Sequence, residues 1–206
     1  MKTQGVWGFY PLVPNADWAR RLISWGVKTL QLRVKDASAA ELRREISQTL
    51  EAGSKAGVQV IINDHWKLAM DLGASYIHLG QEDLDEADIP SLKSAGVAFG
   101  ISTHSLDELD RALSFAPDYL ALGPIFAPTG KQVDWTPQGV EKLQTWRERI
   151  DIPLVAIGGI TLERATSVMD AGAQSIAVIG DVVFAENPKK RVEEWLTFFE
   201  SYHKET

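Results

Sequence analysis

The sequence predicts an α/β fold, a single (β/α)8 barrel of the TIM type. Eight short apolar runs of strand length alternate with amphipathic stretches, and glycines recur at the joints between them. Strand–helix alternation calls for a parallel sheet, and eight such units are the number that closes on itself. The runs fall at 7–13, 29–33, 58–62, 76–79, 98–101, 119–122, 154–157 and 175–179. Between the second and third, residues 39–55 set Leu42, Ile46 and Leu50 on one stripe at helical spacing. Residues 107–115 and 138–149 read the same way, with Ser105 suited to cap the former and Pro137 to open the latter. Gly26, Gly57, Gly73, Gly96 and Gly172 each follow a helical stretch and precede a strand, the place of a left-handed helix cap. The seven tryptophans, at 7, 18, 25, 66, 135, 146 and 195, are expected mostly to pack helices. An open doubly wound sheet is the competing architecture. It is disfavoured because no glycine-rich dinucleotide fingerprint follows the first run.

With 206 residues, 45% hydrophobic and 24% charged, the chain is expected to form one domain over 1–206 with a sizeable core. A net charge of −7 argues against a general nucleic-acid surface, so any phosphate site must be local. The absence of cysteine excludes disulfides, thiolate metal sites and cysteine nucleophiles. The start, MKTQGVWGFY, lacks a long apolar stretch, and no run is long enough to span a membrane. The expectation is a cytoplasmic protein without membrane or nucleic-acid partners. Its oligomeric state is open, leaving room for a homo-oligomer.

Barrel chemistry gathers at the C-terminal ends of the strands, and those ends are rich here. Residues 30–36, LQLRVKD, alternate Gln31, Arg33 and Lys35 with apolar neighbours, so the three share one face if the strand runs through. Two cations on one face suit an anion, and a polyphosphate in particular; a solvated edge strand is the plain alternative. The third strand ends in Asn63-Asp64, the fourth in His78 to Asp83, the fifth in Ser102-Thr103-His104. The sixth runs through Gly123-Pro124-Ile125-Phe126 to Lys131, and the seventh ends in Gly158-Gly159.

These groups complement one another. Asp64 and Asp83 are hard oxygen donors and favour Mg²⁺, which takes one or two carboxylates, water and substrate phosphate. Arg33, Lys35 and Lys131 can neutralise the same phosphates, while Asn63 and Ser102 can donate hydrogen bonds to them. Gly158-Gly159 allows close approach of backbone N–H groups. That set belongs where a metal–pyrophosphate leaves or is transferred. Each has a plain alternative too. Asp64 can cap a helix starting at His65 or Trp66, Asp83 lies in an acidic loop that can simply be solvated, and His78 can be a satisfied core histidine. The 123–131 segment resembles a phosphate loop, though its glycine spacing is wrong for a Walker A motif.

Taken in order, LQLRVKD, INDHWKLA, HLGQEDL, GISTHS, LGPIF with a downstream lysine, and AIGGI resemble the thiamine-phosphate synthase family across nearly the whole chain. The resemblance implies a Mg²⁺-dependent transferase of thiamine biosynthesis. It would join 4-amino-2-methyl-5-(hydroxymethyl)pyrimidine diphosphate to 4-methyl-5-(2-hydroxyethyl)thiazole phosphate, giving thiamine phosphate and pyrophosphate. Carried over by position, Gln31 would contact the pyrimidine. Arg33, Lys35, Asn63 and Lys131 would hold the diphosphate, with Ser102 near the reacting carbon. Asp64 and Asp83 would bind Mg²⁺. Gly159, with Ile179 and Gly180, would hold the thiazole phosphate. The chain departs from the family pattern twice. The expected Pro-Thr-x-Thr-Lys run is Ala127-Pro128-Thr129-Gly130-Lys131, and the expected Ser-Ala after the eighth strand is Gly180-Asp181. Both departures fall on the thiazole-phosphate half. They motivate one alternative, a barrel that binds the pyrimidine diphosphate without turnover; the other is a thiazole tautomerase-like paralogue on the same barrel, which would not need the Gln31, Arg33 and Lys35 set.

Overall fold

The structure is a computed structural model that describes residues 8–127 and 136–205, with side chains to 202. Eight parallel strands form a closed barrel in sequence order. They are β1 (Gly8–Val13), β2 (Thr29–Leu32), β3 (Gln59–Asn63), β4 (Tyr76–Leu79), β5 (Ala98–Thr103), β6 (Tyr119–Leu122), β7 (Leu154–Ile157) and β8 (Ser175–Val178). Closure comes from β1 pairing with both β2 and β8, for example Leu12 opposite Gln31 and Tyr10 opposite Ala177. The helices among the described residues are α1 (Ala16–Ser24), α2 (Ala39–Ala56), α3 (Trp66–Asp71), α4 (Ile89–Ser94), α5 (Leu106–Ser114), α6 (Val140–Arg147), α7 (Ala165–Asp170), α8 (Gly180–Val183) and α9 (Pro188–Glu205). No helix of the described residues is long and apolar enough to cross a membrane.

Period-two alternation divides each strand between two cores. Phe9 and Val13 of β1 face the helices, as do Leu30 and Leu32 of β2. Tyr10, Leu12, Ile61, Tyr119, Ala121, Val155 and Ala177 fill the barrel interior. Trp146 and Trp195 are fully buried, the latter stacked on Phe9 with ring centroids 5.4 Å apart. Trp18, Trp25 and Trp66 pack against the outer core, while Trp7 and Trp135 lie outside the described residues.

Helix ends follow the sequence signals closely. Ser38 and Glu41 form a reciprocal capping box on α2. Ser105 caps α5 by accepting from Glu108 N. All five expected joint glycines have positive φ. Most bounds shift by a residue, and three differences bear on the site. β2 ends at Leu32, so Arg33 and Lys35 lie beyond the ladder, although Arg33 N still donates to Val13 O. β5 runs on to Thr103, because Ser102 and Thr103 pair with Ala121 and Leu122. Pro137 does not open α6. The N–H groups of Gln138 and Gly139 bond Pro124 O and Ile125 O instead, tying this segment to the loop after β6 and delaying the helix to Val140.

Candidate active site

The C-terminal rim of the barrel carries two groups of residues on different arcs. On the β2–β4 arc, Asp64 and Asp83 approach each other beside a hollow of about 480 Å³ that they line with His65, Glu82 and Glu86. Asp64 follows β3 with a positive φ of 64°, a conformation that Asp tolerates better than most residues. Its side chain does not cap α3, whose cap residue is His65. Asp83 opens a short 3-10 turn, and its Oδ2 accepts from Gly80 N at 2.7 Å. The Asp64 carboxyl titrates above the ordinary carboxylate range, through burial first and then the charge of Asp83; Arg33 and His65 oppose that shift. Arg33 thus stands within electrostatic reach of Asp64, and also of His78. Lys35 lies on the exposed loop after β2, and Asn63 is buried at the end of β3 opposite His78.

With the Asp83 charge adding to burial in raising the Asp64 proton affinity, the site is short of positive charge. Among the described residues no three His, Asp or Glu converge as a closed metal cage. An open pair of oxygen donors fits Mg²⁺, which keeps water and takes substrate phosphate for the rest of its shell.

Inside the barrel, the polar side chains join end to end. Gln31 Nε2 donates to Tyr10 Oη at 2.6 Å, and Tyr10 Oη lies 3.0 Å from Tyr119 Oη. Tyr119 Oη is 2.8 Å from His78 Nδ1, and His78 Nε2 is 2.7 Å from Ser102 Oγ. Gln81 Nε2 donates to Ser102 O at 2.7 Å, and Arg111 holds the Gln81 carbonyl at 3.0 Å. Burial, aided by the Arg33 charge, depresses the His78 pKa to about 4, so its imidazole is neutral. The reading of His78 as a satisfied core histidine is therefore correct as far as it goes. Tyr10 and Tyr119 escaped the sequence reading. Each is an aromatic with a polar tip on the inward phase of its strand, the one signal available.

His78 makes acid stability testable. Its folded pKa lies below the value of about 6.5 expected unfolded. The stabilisation, about 3 kcal/mol, is therefore complete above pH 6.5 and is lost as pH falls from there through 4. Chemical denaturation at pH 7 and pH 4.5 should show a steeper acid loss for wild type than for His78→Gln. Equal losses would show that His78 does not titrate in this way.

On the β7–β8 arc, Gly159, Ile179 and Gly180 line a cleft of about 1150 Å³ together with Gly158, Asp181 and Phe184. Gly158 and Gly159 have φ of 95° and 65°, and a Cβ on Gly159 would come within 2.4 Å of Phe126 O. Only glycine lets this turn press against the loop after β6. Asp181 does not enter the cleft as a bare charge. Its carboxylate accepts from Arg191 Nε and Nη2, each at 2.9 Å, and from Trp195 Nε1 at 2.7 Å. Arg191 also bonds Glu163 and Glu194, and its pairing with Asp181 above all holds its proton more tightly than usual. The departure at position 181 is thus matched by a cation ten residues on. Lys131 and Thr129, with Pro128 and Gly130, lie outside the described residues.

The family model described as thiamine monophosphate synthase matches residues 13–182. The chain belongs to that family. It is 50% identical over 189 residues to the thiamine-phosphate synthase of Rhizobium etli, covering 91% of this chain and 93% of the relative. It is 45% identical over 186 residues to that of Neisseria meningitidis serogroup A, covering 90% and 91%. Among solved structures it is similar to thiamine phosphate pyrophosphorylase from Pyrococcus furiosus, with a TM-score of 0.82 and 29% identity over 94% of this chain and 96% of the other. The thiamine-phosphate synthase family reaction is a transfer.

Proposed function

We propose that the whole chain acts as one cytoplasmic enzyme performing its family's reaction, with the diphosphate substrate on the β2–β4 arc and the thiazole phosphate on the β7–β8 arc. What supports this reading most is the convergence of Arg33, Asp64 and Asp83 from three separate strand ends into one charged cluster. Asp64 and Asp83 would hold Mg²⁺, which when bound supplies positive charge against the diphosphate as it becomes a leaving group. Arg33 and Lys35 would add cations there, as the family pattern implies for Lys131, and Asn63 and Ser102 would add hydrogen-bond donors. Gln31, anchored by Tyr10, orients the pyrimidine ring. The backbone N–H groups of Gly159, Ile179 and Gly180 receive the thiazole phosphate.

The chemistry needs no protein nucleophile. The pyrimidine amino group donates electron density that stabilises a cation at the exocyclic methylene. The C–O bond breaks with its electron pair going to pyrophosphate, and the thiazole nitrogen lone pair then forms the new C–N bond. The protein positions the two partners and neutralises the departing charge. A tautomerase would move a proton and would not need this cation set. A binding-only barrel is suggested by both departures from the family pattern; of these, the Asp181 charge is held by Arg191 and Trp195, while residues 128–131 of the other lie outside the described residues. Incubation with both substrates and Mg²⁺ should give thiamine phosphate and stoichiometric pyrophosphate, and neither when one substrate is omitted. Isomerisation of a thiazole carboxylate phosphate without Mg²⁺, or diphosphate binding with no product, would reverse the reading.

The metal half has its own measurement. At neutral pH the ionised Asp64–Asp83 pair opposes folding of the metal-free chain, because the folded Asp64 pKa lies above its unfolded value. Asp83→Asn should therefore raise the metal-free melting temperature by roughly 2–4 °C. The gain should shrink as pH falls through the folded Asp64 pKa. Mg²⁺ should raise the melting temperature of wild type and leave that of Asp83→Asn unmoved. A Mg²⁺ response undiminished in the variant would remove Asp83 from the metal site.

A further inference from the structure

The buried chain from Gln31 to Ser102 carries more than packing requires. We propose that it is a directional hydrogen-bond relay, which holds His78 as the Nε2–H tautomer and so leaves the Ser102 hydroxyl proton for the leaving diphosphate. Tyr10, Tyr119 and His78 are then positioning residues for Ser102. The proposal rests on the reading above that Ser102 faces the diphosphate.

The direction follows from counting protons. Tyr10 and Tyr119 are fully enclosed, and burial keeps both phenols protonated. Each buried O–H needs an acceptor. Gln31 presents its amide nitrogen to Tyr10, 2.6 Å away, so it donates and cannot receive the Tyr10 proton. The remaining partner of Tyr10 is the Tyr119 oxygen at 3.0 Å. Tyr119, having accepted there, sends its own proton to His78 Nδ1 at 2.8 Å. A neutral imidazole has one N–H, and with Nδ1 accepting, that hydrogen sits on Nε2. Nε2 then donates to Ser102 Oγ across 2.7 Å, and the serine's own proton is not spent on the histidine.

The reverse direction would leave the Tyr10 hydroxyl without an acceptor in the barrel interior. It would also turn the Ser102 proton inward, to His78, where it could do nothing for a departing oxyanion. Packing supports the arrangement. The His78 and Tyr119 rings stack at 5.5 Å and 28°. Gly100 leaves the space the Tyr119 ring occupies, since a Cβ there would lie 2.0 Å from Cζ. At the far end, the Gln31 amide is turned by Tyr10 so that its oxygen is not the atom engaged within the chain. One relay therefore sets the hydrogen-bonding polarity at both ends, as acceptor at Gln31 and donor at Ser102.

The test is the histidine tautomer, read by two-bond ¹H–¹⁵N correlation on the full chain labelled with ¹⁵N-histidine. The sequence has four histidines, and His78 is assigned by its loss in His78→Gln. The expected pattern is neutral Nε2–H, with the Nδ1 resonance shifting in Tyr119→Phe as it loses its donor. His78→Gln, whose amide can still donate to Ser102, should keep most of kcat. His78→Leu should lose roughly a hundredfold in kcat with little change in the diphosphate KM. Tyr10→Phe, a smaller change in shape, should lower kcat about tenfold without altering the melting profile by more than a hydrogen bond's worth. An Nδ1–H pattern overturns the relay whatever the activities, as does wild-type kcat in both His78→Leu and Tyr10→Phe. Failure of the underlying reading looks different: Ser102→Ala would keep full turnover while the His78 spectrum still showed Nε2–H.

Discussion

Asp64→Ala should reduce Mg²⁺-dependent pyrophosphate release at least roughly a thousandfold, and Arg33→Ala should come close to it, as expected when a charge-stabilising group is removed from a leaving-group site. The two variants are distinguishable. Asp64→Ala removes one of two carboxylates that oppose each other, so the metal-free protein should melt no lower than wild type. Arg33→Ala removes the cation that pulls the Asp64 pKa down, so Asp64 should hold its proton to higher pH. The acid limb of its residual activity should move upward accordingly. A continuous pyrophosphate-release assay from pH 5 to 9, with thermal melts alongside, measures all of this. Full activity in either variant would remove that residue from the machinery.

Gly100→Ala should be the most damaging small substitution in the barrel. The new Cβ would lie 2.0 Å from Tyr119 Cζ and 2.3 Å from Cε1. The ring cannot retreat easily, because Tyr10 and His78 engage its edge and face. Overpacking of this kind costs about 3 kcal/mol, and at 2–4 °C per kcal/mol the melting temperature should fall by roughly 6–12 °C. Tyr119→Phe would not relieve the contact, since the ring atoms remain. Tyr119→Leu should recover part of the loss, and that pairing separates crowding of the ring from any other effect. A Gly100→Ala protein with wild-type stability would mean that the Tyr119 ring has another position open to it.

The fold was largely legible because its code is local. Apolar runs, caps such as Ser105, and the joint glycines each act within a few residues. The charged half of the site was legible for a related reason: in a barrel every strand end reaches the same rim, so chain position alone groups Arg33, Asp64 and Asp83. What stayed hidden depends on partners far apart in the chain. Tyr10 meets Tyr119 across 109 positions, and His78 meets Tyr119 across 41. No spacing rule connects such pairs until strand register is known. Asp181 is the instructive case. From the sequence its charge looked out of place beside a phosphate. Its counter-ion, Arg191, sits on the following helix, ten residues on, where no sequence signal ties it to position 181. The α6 boundary was missed because backbone donors at 138 and 139 bond a distant loop, which overrides the proline signal.

The circular order of the strands bears on how such an enzyme can change over time. The carboxylate–arginine cluster proposed for the donor follows β2, β3 and β4, whereas the cleft proposed for the acceptor is built by β7 and β8 and steadied from α9. β1 separates them on one side, and β5 and β6 on the other. On the proposed assignment, mutations at the β7–β8 arc can accumulate and be compensated locally, as Asp181 is by Arg191, without disturbing the Arg33, Asp64 and Asp83 cluster. A barrel divided this way can trade one nucleophilic heterocycle for another while keeping its leaving-group chemistry, which makes the β7–β8 loops the natural place to redirect it.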